Sequence, residues 1–452
     1  MPEQSFPPIH SVVGYSPYPW PHAVAALRLV RPLQRAGLQF IAGQRSDGID
    51  VQSVSQADIV VIQREFPLFW EEYEQVLALA RSQGKPLVYE IDDLLLELPD
   101  VHPDRAIDYY TPAILPILHA IASADLVTTT TPNLAQYLQR YNPNVSILPN
   151  YLDDDFWRLC PYSPGESPGG TPDHPPVVIG YMGSDTHLPD IESLTQVFLQ
   201  LAARFGEKVR FRFWGCQPPE QIQQLPQTEW LPMQIFDYPK FAEYFLGQEA
   251  DILIAPLLDS LFNRCKSAVK LLEYSALGVP CVCSRIAPYE SLIMQGVNGF
   301  LASSVEEWQS HLIKLVENSG LRKQIGEQLQ ATVREQWLLS QHAEEWIETY
   351  RHAQLVAQRG DFRQRADQVS FLRNLANQTV LLNHRQNQQI NQLQETNQRL
   401  QQQLDDVYGS RAWSLIQKLW RLRLALIPAG SRLERGLRLG TTAKRTSRRS
   451  GE

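Results

Sequence analysis

Short apolar segments alternate with amphipathic helical stretches along about the first 350 residues of this chain, and the alternation stops once and restarts. "ADIVVIQR" (57–64), "KPLVYEIDD" (85–93), "DLVTTTT" (125–131) and "VSILPN" (145–150) read as strands. The helical stretches "EEYEQVLALARSQG", "ILPILHAIASA" and "PNLAQYLQRY" lie between them. Residues 161–176, "PYSPGESPGGTPDHPP", are dense in Pro and Gly and nearly free of apolar side chains, as a linker should be. After it "PVVIGYMGS", "VRFRFWG", "DILIAPL" and "VPCVCS" alternate again with helical stretches, and "VNGFLA" reads as a turn. Strand–helix alternation with continuous apolar strands predicts parallel, doubly wound sheets. The fold class expected is therefore α/β, with two Rossmann-like halves facing a cleft, and ligands at the carboxyl ends of the strands. The expected boundaries are residues 1–160 for the first Rossmann-like domain, 161–176 for the linker, and 177–358 for the second with its closing helices. A helical or coiled-coil segment, 361–407, and a basic amphipathic tail, 408–452, complete the chain.

The formal charge of −8 conceals an asymmetry. From Tyr408 onward there are eleven Lys or Arg and two Glu, a net of +9, which leaves about −17 on the rest. An acidic body argues against nucleic acid as a partner. The five cysteines, at 160, 216, 265, 281 and 283, form no C-x-x-C pair and read as reduced thiols, with Cys281 and Cys283 on one strand face. "MPEQSFPPIH" shows no secretory leader, and no apolar run approaches the roughly 20 residues of a spanning helix, so a cytoplasmic setting is expected. No His/Cys/Asp cluster has metal-ligand spacing, and no metal is expected.

The stretch "FNRCKSAVKLLEYSALGVPCVCS", 262–284, carries Arg264, Lys266 and Lys270 at what reads as the start of one helix from about Cys265, just past a strand end. Unpaired N–H groups and the positive dipole end would face the cleft, where a diphosphate fits. Glu273 lies two turns from Lys266 on the same side, suited to grip hydroxyls such as those of a ribose. The alternative is an unoccupied helix with a Lys270–Glu273 surface pair.

"KLLEYSALGVPCVCSRIAPYESLIMQGVNGFLA" resembles the signature of retaining GT-B glycosyltransferases of the family 4 (group 1) type, in a divergent branch. The resemblance extends back through "DILIAPL", "FRFWG", "VVIGYMGS" and "LPNYLDDDFW", and weakly into the first half, where the Gly-Gly acceptor loop is absent. It implies that Glu273 binds the donor ribose and that the N–H groups of Ser267 and Ala268 cradle the diphosphate. Cys265 stands where a second Glu is expected, and Ser184 where an Arg is expected, with no Lys nearby. Lys266, Arg264 and His187 are the candidate replacement cations. Asp92, in "YEIDD", fills the place of a sugar-contacting His; capping of a following helix by Asp92 or Asp93 is the alternative.

Gly183 and Gly215, at strand ends, join the donor side, Gly183 by admitting a ligand close to the backbone, and Tyr238 is expected to stack on the base. Tyr18, His22 and Arg64 are acceptor-side candidates. Asp153, Asp154 and Asp155 superficially suggest a metal-binding D-x-D but read as a cap or solvated loop. Ile390, Leu393, Asn397, Leu400, Leu404 and Val407 make a short heptad with Asn at an a position, which favours a parallel homodimer, against a single exposed helix. Trp413, Ile416, Trp420, Leu424 and Ile427 share one side of a helix rich in Arg and Lys, which suggests an anionic membrane surface at the inner face as a further partner. The leading function is transfer of a sugar from a nucleoside-diphosphate sugar, a co-substrate rather than a cofactor, to a saccharide or lipid-linked acceptor in polysaccharide or glycoconjugate synthesis. A catalytically inactive scaffold is the alternative, and a nucleotide-sugar epimerase a third reading.

Overall fold

The computed structural model describes residues 7–46, 48–161 and 175–426. Contacts divide the chain into two units, Met1–Val380 and Leu381–Glu452. The first unit holds two parallel six-stranded sheets. Strands β1 (Ser11–Tyr15), β2 (Gln39–Ala42), β3 (Ile59–Gln63), β4 (Leu87–Glu90), β5 (Leu126–Thr129) and β6 (Val145–Ile147) form one sheet, in the order β2-β1-β3-β4-β5-β6. Strands β7 (Val177–Gly183), β8 (Val209–Gly215), β9 (Thr228–Leu231), β10 (Ile252–Ala255), β11 (Cys281–Ser284) and β12 (Phe300–Ala302) form the other, in the order β9-β8-β7-β10-β11-β12. In each sheet the chain winds outward from its first strand and then starts again on that strand's other side. Ligands in such sheets sit at this switch point. The stretch read as a turn at 297–302 ends in strand β12.

Both sheets are covered on both faces, which is why their central strands are apolar throughout. On the first sheet Val13, Tyr15, Val60, Ile62, Tyr89 and Val127 face helices Trp70–Ser82 and Ile114–Ser123. The alternate residues Val12, Ile59, Val61, Val88 and Leu126 face Leu29 and Leu33 and, from far along the chain, Leu339, Trp346, Tyr350 and Ala353. Helix Glu344–Arg359, assigned by sequence to the second half, therefore completes the core of the first. Trp346 and Tyr350 recur at helical spacing, and the side they fill is on the other sheet. Cys281 and Cys283 do share a face, with sulfurs 3.3 Å apart and no disulfide.

The crossing between the halves is charged. Arg31 bonds Asp153 at 2.5 Å and Asp155 at 2.5 Å, and Arg35 reaches Asp154 at 3.1 Å and also Asp155. The Asp153 side chain is almost fully buried. The three aspartates form the acidic side of a clasp on the crossing segment; Asp153 also caps the turn by accepting from the Asp155 N–H at 3.2 Å, and Asp155 is exposed. Among the described residues no group of three His, Cys, Asp or Glu could hold a metal ion.

Helix Ala366–Gly409 is continuous. Its start is anchored on the first half, where Ala376 is buried and the Trp70 indole donates to Asn377 at 2.5 Å. Further along, Ile390, Leu393, Leu400, Leu404 and Val407 are exposed. Helix Arg411–Leu426 exposes Leu415, Ile416, Leu419 and Trp420. No helix among the described residues is long and apolar enough to cross a membrane. The Leu424 side chain, Ile427 and residues beyond, and most of the 161–176 linker, lie outside the described residues.

One backbone contact makes a sharp test. A Cβ added at Gly326, inside helix Ser319–Gln336, would overlap the Gly278 carbonyl oxygen. Gly326→Ala should lower stability by about 1–3 kcal/mol through forced separation of helix and turn. Thermal denaturation followed by circular dichroism reads it; an unchanged midpoint would contradict this packing.

Candidate active site

A cavity of about 190 Å³, open to solvent, lies between the halves at the carboxyl ends of both sheets. Lys266, Ser267, Lys270 and Glu273 line it from the second half, and Asp92, Asp93 and Asn150 from the first. The segment after β10 is not one helix. Helix Leu261–Cys265 ends, Lys266 is extended (φ −65°, ψ 158°), and helix Val269–Ser275 then begins. The break is held from the first half: the Thr131 hydroxyl donates to the Cys265 carbonyl, and the Asn133 amide to that of Arg264, both at 2.8 Å. The last carbonyls of the short helix are thereby satisfied across the domain boundary. Asn150 in turn donates to the Ser267 hydroxyl at 2.8 Å, fixing the loop that leads into the second helix.

Glu273 is buried, and Tyr238 donates to its Oε1 at 2.9 Å. Burial pushes this carboxyl up to about 7, against the Tyr238 hydrogen bond and the charge of Lys270. It is no surface pair. Tyr238 is itself only 2% exposed, packed among Phe156, Trp157 and Phe241, so it cannot stack on a base; it aims Glu273. Lys266 places its ammonium 3.7 Å from Asp93 and 4.5 Å from the Phe262 ring centroid.

Arg264 and His187 do not supply the charge expected of them. The Arg264 side chain is exposed and held by both oxygens of Asp259, at 2.6 and 2.7 Å, because the helix containing it ends before the cleft. His187 Nδ1 donates to Asp190 at 2.8 Å, whose other oxygen accepts from the Leu258 N–H at 2.7 Å. Burial and the nearby Lys270 hold the His187 imidazole down, to about 3, so it is neutral. Ser184 is exposed and bonded to Thr186 at 2.6 Å. Gly183 admits side chains rather than an external group: a Cβ there would meet the Tyr181 hydroxyl at 2.5 Å and the Lys270 ammonium at 2.9 Å. Gly215, at φ +83°, abuts the Gly183 carbonyl.

On the facing side, Asp92 is bonded to Arg64 at 2.8 Å, and no helix follows for it to cap. Arg64 is buried, sits at φ +48°, and also bonds the Tyr110 hydroxyl at 3.0 Å. It is committed to holding this wall rather than open to a ligand. Tyr18 donates to Glu65 and stacks on His22 at 4.4 Å. Burial raises the Tyr18 phenol and lowers the His22 imidazole, so both are neutral. The loop carrying them touches the second half, where the Tyr238 N–H donates to the Pro21 carbonyl at 2.8 Å. Sequence reasoning left Lys270, Asn150 and Asp190 without roles. The one available signal was Lys270, three residues from Glu273 on the helix side that faces the cleft.

The buried carboxyl has a testable consequence. Because its folded pKa lies above the ordinary 4.5, Glu273 stabilises the fold fully below about 4.5, and that contribution is lost as pH rises to about 7. Glu273→Gln keeps the acceptor for Tyr238 and removes the loss. It should melt above the wild type at pH 8, by at most about 3 kcal/mol, and close to it at pH 4. A variant that is less stable at pH 8 would show that the carboxylate holds the fold.

Residues 176–318 match the family model described as Glycosyl transferases group 1. A search of curated proteins gives no match. Among solved structures, sucrose-phosphate synthase from Thermosynechococcus elongatus is similar at 13% identity, over 76% of this chain and 98% of that one, with a TM-score of 0.53. HepE of Anabaena, solved with UDP, is similar at 13% identity over 76% of this chain and 100% of that one, with a TM-score of 0.51. The chain spans 54% of TarM, at 12% identity, 65% coverage of this chain and a TM-score of 0.46. The two sheets and the cleft between them thus have the GT-B fold, and in their second half residues 176–318 are similar to the glycosyl transferases group 1 family.

Proposed function

We propose that this protein is a glycosyltransferase that moves a sugar from a nucleoside-diphosphate sugar to a saccharide or lipid-linked acceptor, with retention at the anomeric carbon and without a metal ion. The observation that carries the reading is Glu273: a carboxyl buried at an energetic cost, aimed by Tyr238 into a cleft that also holds Lys266. Groups kept in such environments cluster at functional sites. Glu273 would accept hydrogen bonds from a ribose. Lys266 and the N–H groups of Ser267 and Ala268 would stabilise the departing diphosphate, the main electrostatic demand of the reaction. HepE has been solved with UDP, with UDP-glucose, and with UDP and glucose, which makes UDP-glucose the first donor to try. Polysaccharide or glycoconjugate synthesis is the process such a transferase would serve.

The scaffold reading draws on Cys265 at an expected Glu position and on the exposed, engaged Arg264. Release of nucleoside diphosphate from a donor panel separates the two readings. Lys266→Ala should lower kcat by about 10²-fold, since a charge-assisted contact to the leaving group is lost. Glu273→Ala should chiefly raise the donor KM, since ribose contacts act before and during transfer. EDTA should leave the rate unchanged. Wild-type kinetics in both variants would dismiss the site.

We also propose that the exposed apolar residues of helix Arg411–Leu426, interleaved with Arg411, Lys418, Arg421 and Arg423, hold the enzyme at an anionic membrane surface on the cytoplasmic side. A parallel dimer through residues 390–407 would present two such helices together. The full chain should sediment with anionic vesicles at low salt, and a chain ending at Asp406 should not; equal behaviour of the two would remove the membrane proposal.

A further inference from the structure

The cleft carries more positive charge than the proposed roles use. Lys270 lines it four residues from Lys266, and its ammonium donates one hydrogen bond among the described residues, to the Tyr181 hydroxyl at 2.9 Å. The same ammonium lies 4.3 Å from the Tyr181 ring centroid. No ion pair holds it among the described residues. The carboxylates nearby are otherwise engaged: Asp190 by His187 and the Leu258 N–H, Glu273 by Tyr238, Asp92 by Arg64. An ammonium has three donors, so two are left for an occupant of the cavity. Burial lowers Lys270 to about 8, opposed by Asp190 and reinforced by Lys266. A half-buried lysine beside another lysine, with no carboxylate in ion-pair contact, is stabilised by an anion that completes the site.

Its location is specific. Gly183 ends strand β7, and a Cβ there would be 2.9 Å from the Lys270 ammonium. The segment just after this strand is where the resemblance called for an Arg and a Lys, and where Ser184 points to solvent. Lys270 delivers a cation to the same strand end from a different element, helix Val269–Ser275. Tyr181, two residues before Gly183 on β7, fixes the ammonium, and the missing side chain of Gly183 leaves it room.

We propose that Lys270 is a substrate-contacting residue that, with Lys266, grips the diphosphate of the nucleotide donor, while Tyr181 and Gly183 position its ammonium. This rests on the donor reading above. The test compares binding of UDP, ADP, GDP and dTDP, each against its own nucleoside, by calorimetry or competition. The wild type should prefer one diphosphate to its nucleoside by at least tenfold. Lys270→Met, which keeps length and loses charge, should weaken that diphosphate tenfold or more and leave the nucleoside within twofold. Its thermal midpoint at pH 7 should equal or exceed that of the wild type, because a desolvated charge has been removed; a lysine with a purely structural role would lose stability instead. Tyr181→Phe should weaken the diphosphate by a smaller factor in the same direction. A Lys270→Met protein that keeps the wild-type preference, while Lys266→Ala loses it, overturns the assignment of Lys270 and leaves the donor reading standing. A wild type that binds none of the four overturns the donor reading and this inference with it.

Discussion

The guanidinium of Arg28 is the point at which the two halves of the molecule are made mutually dependent. It is fully buried and bonds Glu90, at the end of β4, at 2.7 Å. It also donates to the Leu148 carbonyl at 2.7 Å and to the Asn150 side chain at 2.9 Å. Asn150 passes the constraint on to Ser267 in the other half. A buried ion pair contributes little net stability unless its remaining donors and acceptors are satisfied. Here Nη1 alone fixes the segment at which the chain leaves the first sheet, and Nη2 is buried without a hydrogen-bond partner. That segment is three residues before the Asp153–Asp155 clasp with Arg31 and Arg35. The geometry of the Lys266–Ala268 loop is thus set by charges in the core of the opposite half.

This arrangement explains how a cleft can hold so many ionisable groups in unfavourable states. Glu273 is raised, Lys270 and His187 are lowered, and in each burial is the largest cause. The crossing holds the halves around them with ion pairs, the Asn150–Ser267 bond and the grip of Thr131 and Asn133 on the end of helix Leu261–Cys265. Polar groups fixed in place before a substrate arrives are what charge stabilisation in a transition state needs. The stability lost at Glu273 and Lys270 is local, and the rest of the fold, with two fully covered sheets, supplies it.

The central strands were legible in the sequence because burial on both faces makes them continuous apolar runs: "IVVIQ" of β3 and "ILIA" of β10 are buried along almost their whole length. The edge strands β2, "QFIA", and β9, "TEWL", were not legible; both are half-exposed and carry polar residues. The break at Lys266 was hidden for a different reason. Nothing local ends that helix, since the groups that end it are Thr131 and Asn133, more than 130 residues earlier. Glu273 could be picked out from its spacing to Lys266. The burial of Tyr238 against Phe156 and Trp157 could not, because those partners lie on the far side of the linker. Likewise Asp153–Asp155 read as solvated until Arg31 and Arg35 appeared opposite them.

Cys265 shows how a departure from a family pattern can be compensated by packing. With Phe262 it is buried in the core cluster of the first sheet, although both belong to the second half of the chain. Burial raises its thiol to about 11, so it is a neutral, small apolar group. A glutamate at this position would place a charge in that core, beside Asp93 and Glu97, whose charges already oppose ionisation of the thiol. The short helix Leu261–Cys265 therefore works as a plug that joins the halves. Having given that position to packing, the site has to find its polar groups elsewhere on the same segment, and Lys266 and Lys270 stand directly beyond the plug. Apolar contact at residue 265 and cations at 266 and 270 thus meet at one point: the cleft is lined by positive charge where the helix leaves the interface.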